Sequence, residues 1–413
     1  MRVPYKKHEG FDPLGDCGKG KCPICARNFA RYTLKNTVKS ENFSSDSNSV
    51  FVGHYNYPNV NVGVLAPPEL KEDSWLYDAP RYWAQNNYEI PKIVNFRSSL
   101  LNNKYASNVL NARKNEKLIL LGQELAMASK PAALEVNLKE KPRFRLQTND
   151  HSLPMGPSTD LKKIMLTENP KIPRKIDYVV SDSDLKTTEG IKILYKKDVD
   201  ENTLTKLFSI GNLGLKKDRR LVPTRWSTTA VHDIVTKNLL NNIKNSPLFD
   251  YKAYFGSYLG NYYLLLFFPE IWSYELFETY VSSNTTMESN LKYMTDFEPY
   301  EGRKTYAQNC AGGWYSVRMA IAEHLDRVKR QGSCLAIRLI TDEYAMPLGV
   351  WVTTEATRKA LNNKSIGFSS MELMLKYAKI FIKKKFNFDL EIILKNSILL
   401  RNMKQQSKLT QFL

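Results

Sequence analysis

Tyr251-Lys252-Ala253-Tyr254-Phe255-Gly256-Ser257-Tyr258-Leu259-Gly260-Asn261-Tyr262-Tyr263-Leu264-Leu265-Leu266-Phe267-Phe268 is two runs of aromatic and aliphatic residues that meet at Gly260-Asn261. Such side chains suit a pleated, buried surface, and a Gly-Asn pair supplies the backbone conformations that a tight hairpin needs. The stretch predicts two antiparallel strands at the centre of a core. Beyond it, Trp314, Val317, Ile321, Leu325 and Val328 recur at steps of three and four, which marks a helix with one apolar face, while Arg318, Arg327, Lys329 and Arg330 fall off that stripe. Cys334–Ile340 reads as a buried strand and Leu348–Val352 as another, followed by a helix over Met371–Phe386 whose Lys376, Lys379, Lys383, Lys384 and Lys385 form a solvated face. Hairpins alternating with amphipathic helices give an α+β fold of mixed helices and short antiparallel sheets.

On the N-terminal side, Val50–Leu65 alternates with period two around Tyr57-Pro58-Asn59, a second hairpin that Pro67-Pro68 ends. Residues 93–130 lack proline and are rich in Leu, Ala, Lys and Asn, so they are expected to be mostly helical with a break near Gly122. Short extended pieces follow at Ala133–Leu138 and Phe144–Gln147. Lys171–Val180 reads as a basic entry into a strand that ends at Ser181-Asp182-Ser183-Asp184. Two acids one residue apart at a strand end can hold Mg²⁺, which makes Asp182 and Asp184 the candidate catalytic pair. The simpler account is that Ser181-x-x-Asp184 caps a helix over Leu185–Lys196.

The 413 residues carry 60 lysines and arginines against 42 acids, a formal charge of +18. That balance favours a polyanionic partner through counterion release. Five cysteines make no disulfide framework, no stretch has the apolar length of a membrane span, and the N-terminus lacks an apolar signal region. A reducing cytoplasm and no membrane partner are expected. Three of the thiols sit in Cys17-Gly18-Lys19-Gly20-Lys21-Cys22-Pro23-Ile24-Cys25, where the glycines let the backbone fold back as a tetrahedral soft-metal site requires. His8 is the nearest fourth ligand, ahead of His54, Cys310 and Cys334. Structural Zn²⁺ on His8, Cys17, Cys22 and Cys25 is the favoured reading, with an iron–sulfur cluster as the competitor for this spacing.

The densest polar stretch, Lys216-Lys217-Asp218-Arg219-Arg220-Leu221-Val222-Pro223-Thr224-Arg225-Trp226-Ser227, joins cations to an Arg–Trp pair at a rigid turn before a helix. Guanidinium, ammonium and indole together suit phosphate contact with base stacking, so Lys217, Arg219, Arg220, Arg225 and Trp226 are the candidate DNA contacts. The plainer account, which composition alone slightly favours, is a surface helix-entry loop with a buried tryptophan. The chain ends in Gln406-Ser407-Lys408-Leu409-Thr410-Gln411-Phe412-Leu413. One turn of 3₁₀ helix gathers Leu409, Phe412 and Leu413 into a plug and leaves the Gln406 amide outside. The order resembles the PIP box, the peptide by which repair proteins dock on the sliding clamp PCNA.

Taken in order, Cys17-Gly18, Cys22-Pro23, Ser181-Asp182-Ser183-Asp184-Leu185-Lys186, Leu221-Val222-Pro223-Thr224-Arg225-Trp226-Ser227, Gly312-Gly313-Trp314-Tyr315, Pro347-Leu348-Gly349-Val350-Trp351 and the terminal peptide resemble the archaeal Nre family of DNA-repair proteins. The resemblance implies a zinc-finger-like motif, a large N-terminal and a smaller C-terminal Nre region, a part in DNA damage repair, and PCNA binding through Gln406, Leu409, Phe412 and Leu413. His8-Glu9-Gly10 stands where relatives tend to have Cys-Lys-Gly, so His8 would replace a cysteine ligand. The expected organisation is a metal knuckle over 1–35, regions over 36–284 and 285–400, and a flexible clamp-docking tail over 401–413. The expected function is a DNA-repair factor tethered to PCNA and engaging DNA through a basic surface. A metal-dependent, nuclease-like enzyme and a non-enzymatic PCNA adaptor are the alternatives, and no reaction is assigned. The chain lacks a Walker-type loop, a His-Glu-x-x-His site and a Gly-x-Ser-x-Gly turn.

Overall fold

The computed structural model describes residues 22–145, 153–281 and 292–410, with side chains through Gln405. The chain divides into two compact units, Met1–Val235 with Ala345–Gly349 and Thr236–Tyr344 with Val350–Leu413. Each combines a mixed sheet with helices, so the fold class is α+β.

In the first unit the described strands are β1 (Asn42–Ser47), β2 (Ser49–Val52), β3 (Asn59–Ala66), β4 (Leu101–Asn108), β5 (Ala132–Leu138) and β6 (Ser158–Leu166), paired in the order β1-β5-β6-β4-β3-β2. Neighbours run antiparallel except β4 and β6, which are parallel. The hairpin expected from the alternation is β2 and β3, with Val50 opposite Val64 and Val52 opposite Val62. Val60, Val62 and Val64 are buried, which is the inward half of the period-two pattern. The helices are α1 (Pro23–Thr37), α2 (Pro80–Gln85), α3 (Ile90–Ser98), α4 (Lys117–Met127), α5 (Arg174–Ser181), α6 (Thr187–Lys196) and α7 (Glu201–Ser209). The division between the units falls inside α8 (Thr224–Ile243).

Three expectations are corrected here. The region 93–130 is not one helix, because Leu101–Asn108 is a strand held between β3 and β6. Its asparagines serve the sheet, as Asn103 donates to the Val64 carbonyl at 3.1 Å, and tertiary pairing overrides a composition that reads as helical. Lys171–Val180 is not a strand: Pro173 precedes α5, and Ile176 and Val179 are buried one helical turn apart. Ser181 and Asp184 do not cap α6, which begins at Thr187 with Lys186 at its N-cap and no side-chain cap.

In the second unit the described strands are β7 (Lys252–Tyr258), β8 (Asn261–Phe268), β9 (Tyr274–Tyr280), β10 (Tyr293–Glu298), β11 (Ser333–Ile340) and the short β12 (Ile366–Gly367), in the order β10-β9-β11-β8-β7-β12. Only β9 and β11 run parallel among these pairs. The decisive hairpin forms as read, with Tyr258 opposite Asn261 and Gly260 at φ +72°. The helices are α9 (Ala311–Val328), α10 (Trp351–Asn362), α11 (Met371–Phe386), α12 (Glu391–Asn396) and α13 (Ile398–Thr410). The expected strand over Leu348–Val352 is instead the entry to α10, reached through Gly349 at φ +106° and Val350 in a helical conformation.

Period-two alternation explains why this sheet is covered on both faces. Leu264, Leu266 and Phe268 of β8 and Leu335, Ile337 and Leu339 of β11 pack with Met374, Ala378 and Ile382 of α11 and with Leu399 and Leu400 of α13. The alternate residues face the other way, where Phe267 meets His324 of α9 with ring centroids 5.8 Å apart. All eight residues of β11 are buried, as a strand sandwiched between helices requires. At Gly256 a Cβ would come within 2.5 Å of the Ala360 Cα, so glycine lets α10 lie against β7. Full burial of each large apolar side chain contributes roughly 1.5–3 kcal/mol.

Candidate nucleic-acid interface

The basic stretch is folded as a loop that presents some of its cations and spends others. A 3₁₀ turn over Lys216–Asp218 leads to Arg219, whose guanidinium donates to the carbonyls of Gly214 at 2.9 Å, Val180 at 2.7 Å and Asp182 at 3.2 Å. It binds the loop to the C-terminal end of α5, and burial lowers its pKa from the ordinary value. Arg219 therefore acts as a strut within this unit. Lys217, Arg220 and Arg225 are exposed. The Lys217 carbonyl accepts from Arg113, a further exposed cation beside the loop.

The start of α8 is fixed by polar contacts with the β2–β3 hairpin and α7. Val52 N–H donates to Thr224 Oγ1 at 2.9 Å, and Ser209 and Thr224 share a hydroxyl contact at 2.9 Å. Leu221 N–H donates to the Val109 carbonyl at 2.8 Å, and Val109 N–H to the Pro58 carbonyl at 2.9 Å. These bonds bring the hairpin tip, His54-Tyr55-Asn56-Tyr57, beside the helix start. There the Tyr57 and Trp226 rings lie 5.3 Å apart at 53°, and Trp226 is 47% exposed. Tyr55 is 73% exposed, the most exposed of the large apolar side chains among the described residues.

The patch thus contains Lys217, Arg220, Arg225 and Trp226 from the basic stretch, and Tyr55, Tyr57 and Arg113 that the linear reading did not reach. The signal for the tyrosines was the aromatic content of a hairpin turn, where polar residues are usual. Its chemistry combines exposed cations with exposed aromatic rings, which suits phosphate contact and stacking on planar groups.

The other candidates are dispersed. Asp182 and Asp184 are exposed in the turn after α5, where the Asp182 carboxylate accepts from Asp184 N–H at 2.9 Å. Among the described residues no group of three or more His, Cys, Asp or Glu converges as a metal site. Cys22 is the N-cap residue of α1 and Cys25 lies in its first turn, both buried. Two thiols three apart at a helix N-terminus share one face, and thiol sulfur is a donor that a zinc ion takes. His8 and Cys17 lie outside the described residues.

The tail begins as a capped helix. Glu275 of β9 receives Ser397 Oγ at 2.5 Å and the N–H groups of Ile398 and Leu399, each at 3.0 Å, at the start of α13. Burial raises the Glu275 pKa, opposed by these bonds. Leu399 and Leu400 enter the core, while Arg401, Asn402, Lys404 and Gln405 are exposed. The backbone stays helical through Thr410, so Gln406 and Leu409 lie on this helix, whereas Phe412 and Leu413 lie outside the described residues. No helix among the described residues is long and apolar enough to cross a membrane.

Two sequence families match the chain. The one described as archaeal Nre, N-terminal, matches residues 17–286, and the one described as archaeal Nre, C-terminal, matches 298–412. The chain is 30% identical over 393 residues to a DNA repair protein NreB of Archaeoglobus fulgidus, covering 95% of this chain and 96% of that protein. It is 31% identical over 339 residues to a DNA repair protein NreA of Haloferax volcanii, covering 80% of this chain and 81% of the relative. With a DNA repair protein NreA of Archaeoglobus fulgidus it shares 32% identity over 370 residues, 89% of this chain and 92% of the relative. No solved structure matches it.

Proposed function

The chain belongs to the archaeal Nre family, and from that premise we propose that this DNA-repair protein works while tethered to the sliding clamp PCNA. The terminal peptide docks on the clamp through Gln406, Leu409, Phe412 and Leu413, and the first unit engages DNA through Lys217, Arg220, Arg225 and Trp226. The observation that supports DNA contact is the exposed Tyr57–Trp226 pair at the start of a helix whose preceding loop carries the exposed cations Lys217 and Arg220, with Arg225 next to Trp226 in the chain. The formal charge of +18 supports the same partner. Tethering adds function without adding contacts, because docking on the clamp raises the local concentration of the rest of the chain on DNA. In this reading Zn²⁺ held by His8, Cys17, Cys22 and Cys25 has a structural part, tying the segment before α1 to its first turn.

Arg225 is exposed and forms part of the phosphate-binding edge, so Arg225→Ala tests the DNA contact without cutting into the core. DNA affinity is expected to fall several-fold at low salt, with the slope of log affinity against log salt reduced by about 1. Titrations of a fluorescent oligonucleotide at several salt concentrations measure this. An unchanged affinity and slope would remove Arg225 from the interface.

A further inference from the structure

We infer that the patch formed by the β2–β3 hairpin tip and the start of α8 is a stacking site for unpaired bases, so that the protein selects single-stranded over duplex DNA. The inference rests on the proposed DNA engagement and specifies its substrate. Phosphate contact alone would need only the cations. The surface also holds three exposed aromatic side chains, Tyr55 at 73%, Tyr57 at 47% and Trp226 at 47% exposure. Tyr55 and Tyr57 extend from a turn whose backbone is fixed, with Asn56 at φ +61° and Asn59 N–H donating to the Asn56 carbonyl at 2.8 Å. Trp226 sits on a helix whose first residue is bonded to β2. The backbone that carries the rings is therefore set by the scaffold before any ligand arrives, which lowers the ordering cost of binding.

An exposed aromatic face gains most from a partner with an open π face. In a duplex both faces of each internal base are already stacked, and the backbone keeps a surface ring away from them. An unpaired nucleotide offers its face at little cost, and each base–aromatic contact of this kind is worth about 1–3 kcal/mol, which at 1.4 kcal/mol per decade is roughly 5- to 150-fold in affinity. The flanking Lys217, Arg220 and Arg225 would follow the strand's phosphates and bind both DNA forms. The cations set affinity for DNA in general, and the rings set the preference for the unpaired form.

The test uses the whole chain, a mixed-sequence single strand and a duplex of the same length, with binding read by fluorescence anisotropy. The single strand is expected to bind at least tenfold more tightly. Trp226→Ala and Tyr55→Ala should each weaken single-strand binding about tenfold and duplex binding less than twofold, with an unchanged salt slope, while Trp226→Phe restores most of the loss. Both positions are exposed, and an unchanged denaturation midpoint confirms that the variants fold. Equal losses on both DNA forms, or no loss on either, overturn the stacking site. Equal affinity of the unaltered protein for the two forms overturns the preference while leaving DNA engagement standing. Binding to neither form overturns the DNA contact and this inference together.

Discussion

Glu278→Ala is expected to destabilise the second unit by about 3–5 kcal/mol, because it strips the carboxylate from a buried arginine. Glu278 on β9 and Arg338 on β11 are register partners in the parallel pair, and Arg338 Nη1 donates to Glu278 Oε1 at 2.6 Å. Their side chains are 10% and 4% exposed for the arginine and the acid. Arg338 also donates through Nε to Asn261 Oδ1 at 3.0 Å, which reaches back to the hairpin turn. Gly313 at the start of α9 leaves room for the acid, since a Cβ there would lie 3.0 Å from Glu278 Oε1. Removing the carboxylate leaves a cation inside the sheet without its counter-charge. The double variant Glu278→Leu, Arg338→Met should recover much of the loss, because replacing both members by apolar groups spares the unpaired charge. Urea denaturation measures both. A Glu278→Ala midpoint equal to that of the unaltered protein would mean that water reaches the pair.

The second large effect is acid sensitivity centred on His324. The imidazole is buried beneath β7 and β8 with Tyr254, Phe249 and Phe267 around it. Arg327 can only donate, so its contact with Nδ1 at 3.1 Å fixes Nδ1 as an acceptor and places the proton on Nε2, which donates to Tyr254 Oη at 3.1 Å. Burial first, then the charges of Arg327 and Lys252, push the His324 pKa down from 6.5 to about 4. The group is thus held neutral in the folded state, and the unfolded chain binds its proton more readily. Its contribution to stability is present above pH 6.5 and is lost as the pH falls through about 4. At 1.36 kcal/mol for each tenfold step this amounts to about 3 kcal/mol. Denaturation at pH 7 and pH 4 should show that loss beyond the loss in His324→Gln, whose amide does not titrate. Parallel pH profiles for the two proteins would contradict the buried neutral imidazole.

Much of the fold was legible where local and global requirements coincide. The hairpin of β7 and β8 could be read because Gly260-Asn261 turns the chain and the flanking residues fill both faces of one sheet. Cys334–Ile340 could be read because a strand covered on both sides needs no polar alternation. Leu101–Asn108 could not, since its asparagines look like helix or loop until neighbouring strands supply the partners. Lys171–Val180 failed for a related reason: the two buried positions, Ile176 and Val179, are too few to distinguish a helical step from an extended one. Trp351 opens a helix rather than a strand because Gly349 turns the backbone just before it, a conformation that composition does not reveal.

The candidate interface shows the same division. Arg225 and Trp226 lie together in the sequence and were legible as a pair. Tyr55 and Tyr57 gain their meaning from the bonds that bring the hairpin tip to α8, and those bonds join residues far apart in the chain. Arg219 was indistinguishable from its neighbours in sequence, yet the carbonyls around α5 and the loop occupy its guanidinium.

Calorimetric titration of PCNA with the whole chain, and with the chain lacking residues 406–413, tests the tethering account most directly. The account predicts binding by the whole chain and its loss on removal of the terminal peptide, with the denaturation midpoint unchanged because Glu275, Leu399 and Leu400 hold the retained part of α13. Undiminished binding by the shortened chain, or no binding by either, would contradict it.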